Sequence, residues 1–592
     1  MPDVPAIQRR FDYTVPAALE GEIRLGSRVR IDLHGRRVGG WVVEDRVEAV
    51  PGVALKPLAG SSGEGPPPSV VAVAEWAAWR WSGPLSSMLG SASPPRVVRL
   101  SAESRSNRSR PAMPSSSPMG SPPSPGGGSV SIVTDALTGP GSPSVVRLAP
   151  ALDAALLVSE VVHRLGGHSV LILAPSRARA AQVADRLARS GVETALLPDQ
   201  WEQAASGRAA VVGARAAAWA PIERLRGAVV LDAHDEAYRE ERAPNWSAVD
   251  VVIERARRHG APVILVSACP PVTQTEGVRV VHTERPLERR GWPILETVDR
   301  TADDPRTGLV SERLARLLHT VLEGPAGRAV CILNRTGRIR LLACVHCGSV
   351  VRCTRCGGAM AQPAAGGALQ CRRCQENRPP VCAECDSSRL RSIRIGVTRA
   401  TEELSALTGV EAVEVTGSSA PEVPGTARLV VGTEAALHRV GRADAVAFLE
   451  FDQHLLAPRF LAAEQSLALL ARASRLVGTR DRGGRVLVQT RIPEHEVLRA
   501  AERADPGLLT AAERPLRRSL ELPPFGALSA LRGPGGAGLA AGLALRPTLT
   551  TSSLGPDRWL VHAPDHQTLC DALATVERPA ERVRVEVDPI DV

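Results

Sequence analysis

Eight of the eleven cysteines fall in one short stretch as four Cys-x-x-Cys pairs: Cys344/Cys347, Cys353/Cys356, Cys371/Cys374 and Cys382/Cys385. A Cys-x-x-Cys turn sets two thiolates within bite of one ion, and two such turns complete a closed tetrahedral zinc site with no position open for chemistry. The pattern predicts two structural Zn2+ ions per chain with all eight cysteines as ligands. Disulfides, an iron cluster or buried apolar cysteines are the other readings, and four regular pairs in a chain with no export signal favour zinc over them. The glycines and arginines between the pairs suit short knuckles better than a packed core. Cys269, Cys331 and Cys570 are left as free thiols.

A second chemical feature is Lys56, the only lysine in the chain, every other basic residue except histidine being arginine. Any step that needs an ammonium must use it. The formal net charge of +9 points to an anionic partner. Eight thiolates holding two Zn2+ would lower it to about +5, and the cysteine-rich stretch itself to about +1, so charge is weak support for nucleic acid.

The elements that position these residues must come from several domains. A chain of 592 residues has length for three to five of them. Residues 1–13 contain no apolar core of a signal peptide, and no run of eighteen apolar residues occurs, so a reducing cytoplasm is expected. Of the nineteen residues Pro111–Ser129, sixteen are Ser, Pro or Gly, which predicts a disordered linker, extended here to 111–142. Before it, Arg28–Leu33 alternates apolar and polar residues, and a turn around Gly35 leads into Gly39–Val43, a small β-barrel or sheet. Val70–Trp81 has helical spacing, and its Trp76 and Trp79 are expected in a core rather than under stacked bases. After the linker, short apolar runs at Ser169–Ala174, Ala209–Val212, Ala228–Leu231 and Val263–Val266 alternate with helical stretches, which predicts a parallel α/β sheet. A second α/β block starts near Arg328, is interrupted by the cysteines, and resumes at Leu429–Val431, Val446–Leu449 and Val486–Val488.

In order and spacing, a long series of residues resembles the primosomal protein N′ (PriA) replication-restart family. It includes Phe11-Asp-Tyr13 with Val15-Pro16, Leu55-Lys-Pro57, Val211 to Arg215 through Ala220-Pro221, His234-Asp235 with Tyr238, and Leu333-Asn-Arg335 with Gly337. The eight cysteines, Val430 to Thr433, Val486 to Thr490 with Pro493 to His495, Leu522 to Gly526 and Val585 to Pro589 continue it. The resemblance implies a multidomain α/β protein: a 3′ DNA-end-binding β domain (1–58), a winged-helix-like unit (59–110), two helicase-like lobes (143–298, and 299–343 with 395–495), a two-zinc module (344–394) inserted in the second lobe, and a C-terminal α+β domain (496–592). It also implies nested zinc pairing, with Cys344, Cys347, Cys382 and Cys385 on one ion and Cys353, Cys356, Cys371 and Cys374 on the other. In such proteins the N-terminal domain receives the 3′ terminus of a nascent strand, and the corresponding residues here are Phe11, Asp12, Gly35 and Lys56. Lys56 is a point charge for phosphate, Phe11 a wall, Asp12 an acceptor for a terminal hydroxyl, and Gly35 permits close backbone approach.

The parts that the family uses for ATP hydrolysis are degraded. A P-loop needs glycines, a lysine and a hydroxyl, whereas the matching stretch Val146–Asp153 has neither glycine nor lysine and ends on an acid expected to cap a helix. Leu231 stands where the Mg2+-binding Asp belongs, and Asp232, one residue along a strand, is expected to face away from a nucleotide. In the arginine-rich motif Gly478 replaces the last arginine, leaving Arg472 and Arg475 as solvated helix residues, and Glu434–Val440 replaces the coupling segment. The expected function is a replication-restart protein that binds stalled or branched forks and helps reload the replication machinery without helicase activity and without catalytic residues. Its partners would be forked or single-stranded DNA, single-stranded-DNA-binding protein and helicase-loading proteins. An ATP-dependent 3′-to-5′ helicase with a divergent nucleotide site is the alternative, separable by fork-stimulated ATPase activity. A zinc-containing DNA-binding regulator is a third, separable by footprinting on forks against duplex.

Overall fold

A computed structural model describes residues 1–48, 54–100, 127–137, 142–303, 308–333, 342–355, 357–362, 367–371, 376–392, 397–417, 419 and 423–590. Most of the predicted linker, and Asn334, Arg335 and Gly337, lie outside them. Among the described residues no helix is long and apolar enough to cross a membrane.

The N-terminal hairpin pairs Arg28–Leu33 with Arg36–Trp41, and Gly60–Ser61 adds a third strand. Alternation buries Val29, Ile31 and Leu33 on one face. Its two-residue turn, His34-Gly35, has positive φ at both positions (48° and 76°), the conformation that matches strand twist in a tight hairpin. The helices Pro68–Arg80 and Leu85–Ala92 follow. Trp76 meets Trp81 edge-on at 5.4 Å, as core packing requires. Trp79 does something else: its indole N–H donates to Asp571 in the C-terminal unit (2.9 Å), while Arg80 pairs with Asp588 (2.7 Å). One buried apolar cluster therefore runs from these helices through the first lobe into the C-terminal sheet.

The first lobe is a seven-stranded parallel sheet in the spatial order 279–282, 143–147, 263–267, 227–231, 170–173, 210–213, 194–196. Its central strands, such as Val170–Leu173 and Val263–Ser267, are buried on both faces, which explains their continuous apolar runs. One expectation is corrected here. The predicted linker does not extend to 142, because Gly127–Leu137 is a helix. Its Val133 and Ala136 are buried in the same cluster as Val158 and Val162 of the helix Ala154–Arg164, an apolar face that the flanking Ser/Pro/Gly composition conceals.

The second lobe is a six-stranded parallel sheet in the order 294–299, 485–490, 445–448, 329–332, 429–432, 412–415. The strand Ile294–Asp299 thus belongs to it, not to the first lobe. The cysteine-rich segment is inserted between Ala329–Ile332 and the helix Val397–Thr408. The helices Glu496–Glu502 and Gly507–Ser519 bury Val497, Leu498, Ala501 and Leu509 in the second lobe's core. The four-stranded antiparallel sheet of the C-terminal unit occupies Ala527–Arg532, Thr550–Gly555, Arg558–Ala563 and Arg584–Val587.

Candidate functional site

The outer cysteine pairs meet. Cys344, Cys347, Cys382 and Cys385 place their sulfurs within 4.8 Å of one another, with Cys344 to Cys385 and Cys347 to Cys382 each 3.5 Å apart. A zinc tetrahedron with Zn–S near 2.3 Å has S···S edges of roughly 3.8 Å, so this donor set fits a metal ion. The local cause is one turn repeated four times. The amide of each pair's first cysteine donates to the carbonyl five residues on: Cys344 to Ser349, Cys353 to Gly358, Cys371 to Glu376 and Cys382 to Ser387, at 2.8–2.9 Å. The residue after a pair takes positive φ where it is described so: Gly348 (74°), Gly357 (69°) and Asp386 (55°). Backbone N–H groups of His346 and Glu384 point at Cys344 and Cys382 sulfur (3.3 and 3.4 Å), as thiolates favour. Of the inner pairs, Cys353 and Cys371 are buried together with Leu342, Val351, Met360 and Leu369, whereas Cys356 and Cys374 lie outside the described residues.

At the other end of the chain, Tyr13–Thr14 pairs in parallel with Lys56–Pro57, so Lys56 sits opposite Tyr13 and next to Asp12. The Tyr13 hydroxyl donates to Asp32 O (3.3 Å), tying this ribbon to the hairpin whose tip is His34-Gly35. Lys56, Asp12 and Gly35 are exposed, and nothing lies within 4 Å of a Cβ placed at Gly35. Phe11 joins no buried cluster; the Arg9 guanidinium lies over its ring at 5.0 Å. All four residues are thus available to a ligand at the surface.

Between the lobes, the loop after Pro143–Arg147 has committed three of its amides. Leu148 N–H donates to Ser267 O (3.0 Å), Ala151 to Gly291 O (3.1 Å) and Leu152 to Ala149 O (3.0 Å). Asp153 caps the helix Ala154–Arg164 through the Ala155 amide (2.9 Å), and its other oxygen pairs with Arg186 (2.6 Å). The loop is pressed onto Gly291, where an added Cβ would stand 2.5 Å from Ala149 Cβ and 2.8 Å from Leu152 Cγ. Leu231 is buried in the first lobe's apolar core.

Two expectations fail in this cleft. Asp232 does not face away: the strand ends at Leu231, and Asp232 turns with φ 51°, so side-chain alternation no longer applies. Its carboxylate takes a two-pronged contact from Arg475 of the opposite lobe, Nη1 to Oδ2 at 2.7 Å and Nη2 to Oδ1. Nor is Arg472 simply solvated; it pairs with Asp235 and meets His438 Nε2 at 2.7 Å. Burial pushes the Asp232 carboxyl up, but Arg475 outweighs it and holds the group below the usual carboxylate range. Burial lowers His234, whose Nδ1 lies 2.8 Å from Ser267 Oγ, and lowers His438 to about 4, so both rings are neutral. A cavity of about 760 Å3 beside these pairs is walled by charges of both signs, including Asp235, Glu434, Glu464, Arg459 and Arg472.

Residues 1–94 match the family model described as the 3′DNA-binding domain (3′BD) of PriA. Over 585 residues the chain is 28% identical to the probable replication restart protein PriA of Mycobacterium tuberculosis (strain H37Rv), covering 90% of this chain and 86% of that protein. Over nearly its whole length the chain is similar to PriA proteins. The likeness to the probable replication restart protein PriA of Mycobacterium leprae is similar, 27% over 91% of this chain and 87% of the relative. The match to replication restart protein PriA of Bacillus subtilis, 27% identical, covers 61% of this chain and about half (49%) of the relative. Within the PriA frame, motif matching alone missed Asp235, Pro150 and Gly291 as partners of the cleft. A usable signal existed in Arg472 and Arg475, three apart and hence on one face of the helix Ala462–Val477.

Proposed function

We propose that this chain recognises stalled or branched DNA forks and helps reload the replication machinery as a scaffold, without unwinding DNA. The observation that carries this reading is the match of residues 1–94 to a 3′DNA-binding domain. The names of the PriA relatives support replication restart, and the committed amides of Leu148, Ala151 and Leu152 support the loss of the motor. Forked or single-stranded DNA is then the ligand, single-stranded-DNA-binding protein and helicase-loading proteins are the partners, and the cytoplasm is the place of action.

Phe11, Asp12, Gly35 and Lys56 are proposed to hold the 3′ end. A fork ending in a leading-strand 3′-OH should bind more tightly than one ending in a 3′-phosphate, which brings charge beside Asp12. Lys56→Ala should weaken the 3′-OH fork by about 1 kcal/mol, the scale of one charge-assisted contact partly exposed to water, and slightly flatten the salt dependence. Fluorescence anisotropy on the two forks measures both effects. Equal affinity for both 3′ chemistries, unchanged in Lys56→Ala, would remove the pocket from the proposal.

The cysteine module is proposed to carry two Zn2+ in nested pairing, Cys344, Cys347, Cys382 and Cys385 on one and Cys353, Cys356, Cys371 and Cys374 on the other. The repeated turn in all four pairs supports a second ion. Elemental analysis should return two zinc per chain; one zinc, or iron, counts against this assignment.

A further inference from the structure

The helix Ala462–Val477 of the second lobe grips the first lobe at three points along its length. Near its start, Glu464 Oε1 accepts from the Val272 amide (2.7 Å), and Arg517, itself buried, braces Glu464 from behind (2.5 Å). Toward its end come Arg472 on Asp235 and Arg475 on Asp232. Arg475 also donates from Nε to Pro150 O (3.1 Å), so one guanidinium ties the degenerate phosphate loop to the strand end beside it. The first and last grips are eleven residues apart, about 16 Å along a helix. Rotation of one lobe about any axis that crosses this helix would therefore break at least one of them.

Apolar packing fills the space between the grips. Ala149, Ala268 and Cys269 of the first lobe share a buried cluster with Leu467, Leu470 and Ala471 of this helix. The carboxylates are the buried members of the ion pairs: the Asp232 and Asp235 side chains are 11% and 7% exposed, against 40% for Arg475. Removing an arginine while the lobes stay together would leave a largely buried carboxylate uncompensated, a far larger penalty than breaking an exposed pair.

We propose that the Asp232–Arg475 and Asp235–Arg472 pairs are a latch that holds the two lobes in one closed arrangement whether or not nucleotide is present. The lobes then act as a rigid platform. The inference deepens the reading of the chain as a scaffold without a motor and rests on it for its biological meaning.

Hydrogen exchange of the full-length, metal-loaded protein, followed by mass spectrometry, tests the latch. The wild type should show the same exchange over 148–155 and 466–477 with and without ATP and Mg2+. Asp232→Asn should speed exchange in both segments by about tenfold or more while leaving Ala527–Arg532 unchanged, since protection reports the free energy of local opening. The reversed pair, Asp232→Arg with Arg475→Asp, should recover part of the protection. If Asp232→Asn fails to fold, Arg472→Gln with Arg475→Gln, which truncates the more exposed partners, gives the same comparison. Nucleotide-dependent exchange in the wild type, or wild-type protection in the variants, would overturn the latch. Fork binding measured on the same samples separates the two ideas: an overturned latch with normal wild-type fork affinity refutes the latch alone, and absent wild-type fork binding with the expected loss of protection in the variants refutes the scaffold reading alone.

Discussion

Stripping the metal with a chelator, or replacing Cys344 with Ser, is expected to unfold residues 342–392 while both parallel sheets stay folded. The module has almost no core of its own. Its buried cluster contains Leu342, Val351, Met360 and Leu369 besides Cys353 and Cys371, and its strands are two or three residues long. Four such side chains are too few to offset the conformational entropy of ordering a segment of this length. A structural zinc site binds only the folded arrangement of its ligands, so its binding free energy is folding free energy and the metal decides whether the module folds. The lobes do not depend on it, because their cores close through separate clusters. Limited proteolysis with a colorimetric zinc indicator should show cleavage within 342–392 in step with zinc release. Cys331→Ser, which alters a buried thiol in the strand Ala329–Ile332 rather than a ligand, should keep its full zinc content. A module that resists protease after complete chelation would show that packing, not metal, holds it.

Legibility in the sequence followed the range of the interaction. Alternation at Arg28–Leu33 and the apolar runs of the central strands depend on one chain segment and its burial, and both were readable. The Cys-x-x-Cys turn is also local, so its four copies were visible as pairs, and Asp153 could be read as a helix cap from its place before an apolar stretch. The strand Pro143–Arg147 was not isolated, because it follows the Ser/Pro/Gly stretch closely and its apolar run continues into the loop. The helix Gly127–Leu137 was hidden for a related reason: it opens on two glycines, poor helix formers that tertiary packing of Val133 and Ala136 overrides. Asp232 was misjudged because the alternation rule holds only while a strand continues, and the chain leaves the strand at that residue. The contact of Asp232 with Arg475 spans 243 positions, and no local pattern encodes such a pair. What could be read were the two arginines on one helix face; what they grip depends on how the two sheets meet.

ATP turnover on forked DNA is expected to be absent, and putting back the P-loop lysine and hydroxyl alone is expected not to restore it. Phosphoryl transfer relies on positioning and charge neutralisation, which here have lost the lysine, the metal-binding carboxylate and the glycines together. The structure adds a backbone reason. A phosphate needs free N–H groups in the loop, yet Leu148, Ala151 and Leu152 donate theirs to Ser267, Gly291 and Ala149 carbonyls. Leu152→Lys combined with Asp153→Thr would supply an ammonium and a hydroxyl at the positions that match the P-loop. It would leave those amides engaged, Leu231 in place of the Mg2+ ligand, and Asp232 neutralised by Arg475. The introduced threonine could still cap the helix through its hydroxyl, but the exposed ion pair of Asp153 with Arg186 would be lost, a change of at most about 1 kcal/mol. The double variant should therefore be slightly less stable and equally inactive. A coupled ATPase assay with forked DNA checks both proteins. Turnover near 1 per second in the wild type, the lower end of the range typical of phosphoryl-transfer enzymes such as kinases, would return the divergent-helicase reading to first place. Turnover in the double variant alone would mean that the loop can release its amides, and that side-chain loss, not the closed backbone, is what silenced the motor.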